Sequence, residues 1–439
     1  MSLSLSTLTS YGLTTDGFSH PTCHYATGSK ALCLSGLLDV PIVSPSTKLL
    51  YKGPENNFDL TEFLTDFLRV GSNASDRYYG GDVLLQDTYT IYASLCVPVH
   101  NNRLGTLHFL THGLSANKSY WDFEEGYSYV DEAAEQGYPT FSYDRLGIGR
   151  SEMAPPIQVI QARPQVEIAH SLIRSLRNGS IAGVKFEHVI GMGHSMGSGI
   201  TQNVCDVHPG DFDAVVLTAH SWFFGGGLGG GIASGAQQIA LTLPDRADLK
   251  SRPNGYYILG PMPQALQFGF YAYPYFDRES EWTSSPFKTP HLWQTIPISE
   301  KNFFFSLFCC LLDVWKKDDI LTELIYTFAV FMRHFKYRST NTIGETLTAA
   351  GLYVPARYFT GPVLVLNGRK DYLCCQGDCL ANNRDMSAET LMQFFPKASW
   401  TQSKAITVPD MGHNINLHLG RKQVFGEILQ FVNGLGIGS

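Results

Sequence analysis

The residues best suited to chemistry in this chain are Gly193-His194-Ser195-Met196-Gly197. An apolar run, Val189-Ile190-Gly191-Met192, precedes them, and a helix start follows. Strand, sharp turn and helix are the setting in which G-x-S-x-G presents a nucleophilic serine. The turn forces the serine backbone into a strained conformation, and the flanking glycines let strand and helix approach without a clash. Ser195 Oγ is then held above the sheet.

A serine hydroxyl is a weak nucleophile unless a base takes its proton during attack. His413 is the candidate base, because Asp410-Met411-Gly412-His413 directly follows the apolar run Ala405 to Val408. His418 is the alternative, further along toward the last helix. The base needs an anion to fix its tautomer and stabilise the imidazolium. Asp371 is the candidate, since Asn367-Gly368-Arg369-Lys370-Asp371 follows the strand Val363 to Leu366; Asp378 and Asp410 are rivals. A tetrahedral oxyanion needs two preorganised N–H donors. Met196 should supply one. The other should come from Thr111-His112-Gly113-Leu114-Ser115, with Leu114 the first choice and Gly113 the next.

These residues need a scaffold that brings strand ends together. Apolar runs at Leu107–Leu110, Thr140–Tyr143, Val189–Met192, Ala214–Leu217, Val363–Leu366 and Ala405–Val408 read as strands. Helical patterns at Tyr129–Gln136, Pro164–Leu176, Ala388–Phe395 and Arg421–Asn433 fall between or after them. Strands alternating with helices predict a mostly parallel α/β sheet. Upstream, Val40–Val43 and Val83–Val97 read as strands around a helix at Leu60–Val70, and residues 1 to about 34 read as irregular. The alternation lapses from about Ser221 to Gly361. Within that interval, Trp222–Tyr337 carries 24 of the 55 aromatic residues, as a lid over an apolar pocket would. The glycine run 225–231 reads as a hinge, since it lacks the Gly-Lys-Ser/Thr ending of a phosphate loop. The expected division is an N-terminal extension (1–83), a core in two parts (84–221 and 362–439) and a mainly helical cap (222–361).

Composition excludes several classes. The 439 residues carry a net charge of −7, so no nucleic-acid partner is expected. Phe303–Leu312 is intensely apolar, but Asp313 and Lys316 close it too soon to span a bilayer. His20, Cys23, His24 and Cys33 fit no standard zinc spacing. Asp144-Arg145-Leu146-Gly147-Ile148-Gly149 shares only its glycines with a dinucleotide fingerprint and reads as a turn beneath the site. Neither metal nor cofactor is expected. Asn73, Asn117 and Asn178 begin glycosylation sequons, and the nine cysteines cluster. Both point to secretion, whereas Met1–Thr15 lacks a signal-peptide pattern and points to the cytoplasm.

Over roughly residues 84 to 435 these motifs resemble the α/β-hydrolase superfamily, including its Ser…Asp…His order. Thr111-His112-Gly113, Ser119-Tyr120-Trp121-Asp122, Tyr143-Asp144-Arg145-Leu146-Gly147-Ile148-Gly149 and Gly377-Asp378-Cys379-Leu380 are similar to a group of filamentous-fungal members, usually secreted. The resemblance implies an α/β-hydrolase fold and a triad, and disulfides Cys375–Cys379 and Cys33–Cys96. Epoxide and haloalkane hydrolases would want a carboxylate at position 195. The expected activity is serine hydrolysis of an ester, lactone or thioester of a bulky apolar small molecule. The alternatives are a non-hydrolytic biosynthetic catalyst and a binding scaffold.

Overall fold

The computed structural model describes residues 3–69, 71–100, 105–223, 236–238, 249, 252–260, 263–272 and 330–437. Nine strands form the central sheet: β1 (Ser19–Tyr25), β2 (Ala31–Leu49), β3 (Tyr79–Pro98), β4 (Thr106–Thr111), β5 (Thr140–Tyr143), β6 (His188–His194), β7 (Ala214–Thr218), β11 (Val363–Gly368) and β12 (Lys404–Val408). Their order is β1-β2-β3-β5-β4-β6-β7-β11-β12. The last six in that order are mutually parallel, and the first three form an antiparallel edge. Between β7 and β11 lie three short strands, β8 (Gln237–Gln238), β9 (Tyr256–Ile258) and β10 (Asn341–Thr342), paired as a separate sheet.

The parallel strands are apolar without a break because both faces of the sheet are covered. Successive residues enter opposite cores. Phe109, Val189, Val215, Leu217, Val363 and Val365 join one cluster; Leu110, Ile190, Met192, Val216, Leu364 and Leu366 join the other. Helices α4 (Ala162–Asn178) and α5 (Met196–Val207) cover the first face; α3 (Tyr129–Glu135) and α10 (Arg421–Gly434) cover the second. The N-terminal α1 (Asn57–Leu68) and α2 (Ala74–Tyr78) lie between β2 and β3 in sequence.

The irregular structure expected for residues 1–34 is corrected here: β1 and the start of β2 fall within it. The segment looked irregular because it is polar, yet its polar groups are paired across strands. Ser35 and Ser94 are buried, with their hydroxyl oxygens 2.5 Å apart. Cys33 and Cys96 face each other in register and form a disulfide. Position 83/84, the expected end of the extension, lies inside β3.

From β4 the chain steps to β5 on one side and then to β6 on the other. The loops leaving β4 and β6 therefore diverge at the carboxyl edge, and such switch points form crevices. The turn after β5 braces this edge. Arg145 there is fully buried and ion-paired with Glu345 of α7 (Ile343–Thr348). Gln165 of α4 also donates to Glu345, at 3.0 Å. Thr342 Oγ1 accepts the Glu345 N–H at 3.3 Å and so caps α7.

Glu345→Ala should destabilise the fold by about 3–5 kcal/mol, because it leaves a buried guanidinium without its counter-charge. Glu345→Gln, which keeps an acceptor, should cost less. Urea unfolding checks this; equal and small losses for both variants would contradict it.

Candidate active site

Ser195 lies between β6 and α5 with φ 54° and ψ −120°. A non-glycine residue in that region costs roughly 1–3 kcal/mol of strain and persists only where its surroundings hold it there. The bracing comes from the end of β7. The Ser195 N–H donates to Thr218 O at 2.9 Å, and Ser198 Oγ donates to the same carbonyl at 2.8 Å. Thr218 Oγ1 donates to Gly193 O at 2.9 Å. Both glycines of the pentapeptide are sterically required. A Cβ on Gly193 would come within 2.4 Å of Ser198 Cα, and one on Gly197 within 2.2 Å of Thr111 O.

His413 Nε2 is 2.7 Å from Ser195 Oγ, and His413 Nδ1 is 2.8 Å from Asp371 Oδ2. Asp371 and His413 are buried. They meet because β11 and β12 are parallel neighbours, with Gly368 opposite Val408, so the loops that follow leave the same edge. Asp371 also caps the short α8 (Tyr372–Cys375), its Oδ1 accepting the Cys374 N–H at 2.9 Å. With Oδ2 accepting from Nδ1–H, the neutral imidazole keeps Nε2 free to take the serine proton. The Cys375–Cys379 disulfide closes the loop just beyond Asp371.

The rivals are elsewhere. Asp378 pairs with Arg369 at 3.1 Å and Asp410 with Lys370 at 3.2 Å, all on the surface. His418 is fully buried. Its Nε2 accepts the N–H groups of Gly412 and Ala272, both at 3.1 Å, and its Nδ1 lies 2.9 Å from Asn414 O. It therefore holds the His413 loop instead of meeting Ser195.

The turn after β4 lies against Ser195. A Cβ on Gly113 would come within 3.0 Å of both His194 O and Ser195 Cβ. The Gly113 carbonyl is turned inward, 2.9 Å from His112 Nδ1 and 3.4 Å from Arg145 Nη2. His112 Nε2 accepts the Arg145 N–H at 3.1 Å, so Nδ1 carries the proton that Gly113 O receives. In a planar trans peptide, C=O and N–H point in opposite directions. Anchoring the Gly113 carbonyl therefore aims the Leu114 N–H the other way. The Met196 N–H opens α5, where first-turn donors have no intrahelical acceptor.

Residues 109–425 match the Alpha/beta hydrolase family. The chain belongs to that family. No curated protein matches it by sequence. Solved structures similar to this alpha/beta hydrolase include a thermophilic esterase from Thermogutta terrifontis, 12% identical, covering 79% of this chain and 94% of that one at a TM-score of 0.43. A 2-hydroxy-6-oxo-6-phenylhexa-2,4-dienoate hydrolase from Rhodococcus sp. strain RHA1 is 16% identical, covering 79% and 95% at 0.42. A laboratory-evolved potato epoxide hydrolase is 14% identical, covering 79% and 96% at 0.43.

Three supporting roles in this alpha/beta hydrolase were not apparent from its sequence. His418, weighed above only as an alternative base, and the His112–Arg145 pair act by holding loops, and the contacts that do so include Ala272, 146 positions from His418, and Arg145, 33 positions from His112. Cys374 was hidden in a cysteine cluster; its Sγ lies 3.8 Å from His413 Nδ1. Burial, reinforced by the Asp371 charge, holds its thiol well above the usual cysteine range. Among the described residues, Asp371, Cys374 and His413 form the one group of three metal-ligating side chains with converging ligand atoms. Cys33, considered with His20, Cys23 and His24, is instead tied to Cys96.

Much of the expected cap, including the glycine run and Phe303–Leu312, lies outside the described residues. Its described parts touch both the loop carrying His413 and the turn after β4. Phe270, ending α6 (Pro263–Phe270), accepts the Asn414 N–H at 2.9 Å, and its ring meets His413 edge-on at 5.5 Å. Ser339 donates to Ser115 O at 2.9 Å, and Asn341 Oδ1 accepts the Ser115 N–H at 2.8 Å. No helix among the described residues is long and apolar enough to cross a membrane.

Burial pushes His108, His220 and His334 down to about 3, and His418 down to about 4, from an ordinary 6.5. Between these limits the unfolded chain binds protons that the folded one does not, so stability must fall as pH falls. Each histidine contributes about 1.4 kcal/mol per pH unit in that window. Urea unfolding at about pH 7, 6 and 5 should show this loss above the range of ordinary carboxylate titration. Constant stability over that interval would contradict it.

Proposed function

We propose that this alpha/beta hydrolase is a serine hydrolase that cleaves an ester, lactone or thioester of a bulky apolar substrate. The observation that carries the reading is the relay from Ser195 Oγ to His413 Nε2 at 2.7 Å and from His413 Nδ1 to Asp371 at 2.8 Å. Ser195 Oγ attacks the substrate carbonyl while His413 Nε2 takes its proton. Asp371 holds the tautomer and stabilises the imidazolium. The oxyanion receives N–H groups from Met196 and Leu114, which the inward-turned Gly113 carbonyl supports over Gly113 itself. His413 then protonates the leaving group, and water attacks the acyl-enzyme by the reverse sequence.

Serine at position 195 disfavours an epoxide-opening mechanism, which would need a carboxylate there. The aromatic content of Trp222–Tyr337 supports an apolar pocket wall, and the contacts of Phe270 and Ser339 with the catalytic loops support a cap over Ser195. The likeness to fungal members adds polyketide-like acyl compounds to the substrates worth testing.

Ser195→Ala should lower ester turnover by about 10⁴-fold or more and abolish labelling by a fluorophosphonate probe. Near-native rates in that variant would refute the mechanism. Asp371→Asn should lose far more activity than Asp378→Asn or Asp410→Asn, since asparagine favours the wrong imidazole tautomer. Equal losses at the three positions would remove Asp371 from the triad. In an acyl-length series, kcat/KM should rise from acetyl to longer chains; a strong acetyl preference would overturn the apolar substrate class.

A further inference from the structure

The geometry points to an inhibitory site for a thiophilic divalent cation, such as Zn2+ or Cd2+, made by Asp371, Cys374 and His413. Its ligand atoms are Asp371 Oδ2, Cys374 Sγ and His413 Nδ1. The nitrogen is 2.8 Å from the oxygen and 3.8 Å from the sulfur, and the three groups converge within 4.8 Å. A tetrahedral zinc ion needs N···S near about 3.6 Å and N···O near about 3.4 Å, from its usual bond lengths. The site reaches that shape if the histidine and carboxylate part by about 0.6 Å, the thiol closes on the nitrogen by about 0.2 Å, and the thiol closes on the carboxylate by up to about 1.2 Å, to the S···O separation near about 3.6 Å that the same bond lengths require. Water or an acyl-site group can fill the fourth position. Thiolate, imidazole and carboxylate together select zinc or cadmium over magnesium, which prefers oxygen ligands.

The loop is already set for this. Asp371 Oδ1 receives the Cys374 N–H, which fixes acid and thiol to one helical turn. The Cys375–Cys379 disulfide holds the next residue. Cys374 itself is not disulfide-bonded.

The consequence for catalysis rests on the triad proposed above. On binding, the Cys374 thiol releases its proton to solvent, and the thiolate and Asp371 carboxylate balance the two charges of the ion. His413 Nδ1 must give up its proton to donate its lone pair. In the neutral ring that proton sits on Nε2 instead. Nε2 then donates and cannot accept the proton of Ser195, so the nucleophile loses its base. The ion thus imposes the tautomer that Asp371 otherwise prevents.

The test uses the full chain with Zn2+, Cd2+ and Mg2+, and compares it with Cys374→Ser, Cys374→Ala and His413→Ala. Cadmium should produce an ultraviolet cadmium–thiolate charge-transfer band whose amplitude is smaller in both Cys374 variants. His413→Ala should need at least about 10-fold more cadmium to reach it, since losing even an outer-sphere partner costs about 10–100-fold in metal affinity. Zinc should inhibit ester hydrolysis, reversibly on chelation, whereas Mg2+ should not. With each variant normalised to its own metal-free rate, half-inhibition of the Cys374 variants should need at least about 10-fold more zinc. Unchanged cadmium bands in the Cys374 variants, or unchanged zinc sensitivity, would overturn the site. The cadmium band needs no substrate. A band lost in the variants from a chain that hydrolyses no ester would keep the metal site and refute the hydrolase reading.

Discussion

The backbone of Ser195 is the constraint on which the rest of the site depends. A serine at φ 54° is stable only if its neighbours exclude every relaxed alternative. Thr218 does this from the adjacent strand by receiving the Ser195 N–H, fixing Ser198 and bonding back to Gly193. Gly197 lets α5 start directly under the carbonyl of Thr111, so the turn after β4 closes against the same serine. The strain therefore fixes both Ser195 Oγ and the loop that faces it. It follows from chain order, because β4 and β6 are neighbours whose continuations separate at the carboxyl edge.

Electrostatics follow the same economy. Burial holds His112 and His194 well below the ordinary histidine range, and holds His418 near 4. Neutral rings next to His413 add no positive charge to oppose its imidazolium. The carboxylate that faces it is buried and hydrogen-bonded at both oxygens, by His413 and by the Cys374 N–H. Each neutral ring also has a definite hydrogen-bond task. His112 orients Gly113, His194 lies 3.2 Å from Thr218 Oγ1, and His418 gathers the N–H groups of Gly412 and Ala272.

How much the sequence disclosed follows from the range of each interaction. The parallel strands were legible because strands buried on both faces must be apolar throughout. Ser195, Asp371 and His413 stood out as candidates because each follows such a strand, and the structure brings the three within hydrogen-bond distance. Strand β1 and the first half of β2, ahead of the readable Val40–Val43 run, were not legible, because Ser35 pairs with Ser94 and Cys33 with Cys96 across the sheet, and neither pairing leaves a local pattern. Leu114 was ranked ahead of Gly113 as a donor without its direction being known, since that depends on which way one peptide plane faces. The Arg145–Glu345 ion pair joins residues 200 positions apart, so nothing local marked it.

The same long-range contacts blur the division between the sheet that carries Ser195, Asp371 and His413 and the insertion between β7 and β11. The loop carrying His413 is held by Phe270 O, through the Asn414 N–H, and by the Ala272 N–H on His418. The turn carrying Leu114 is held by Ser339 and Asn341, and its Arg145 support is neutralised by Glu345. All five of these residues lie between β7 and β11, outside the minimal sheet. If they were cut away, the buried Arg145 would lose its counter-charge and His418 one of its two donors. The insertion therefore belongs to the architecture of the loops that carry His413 and Leu114, and changes within it must reach the geometry at Ser195.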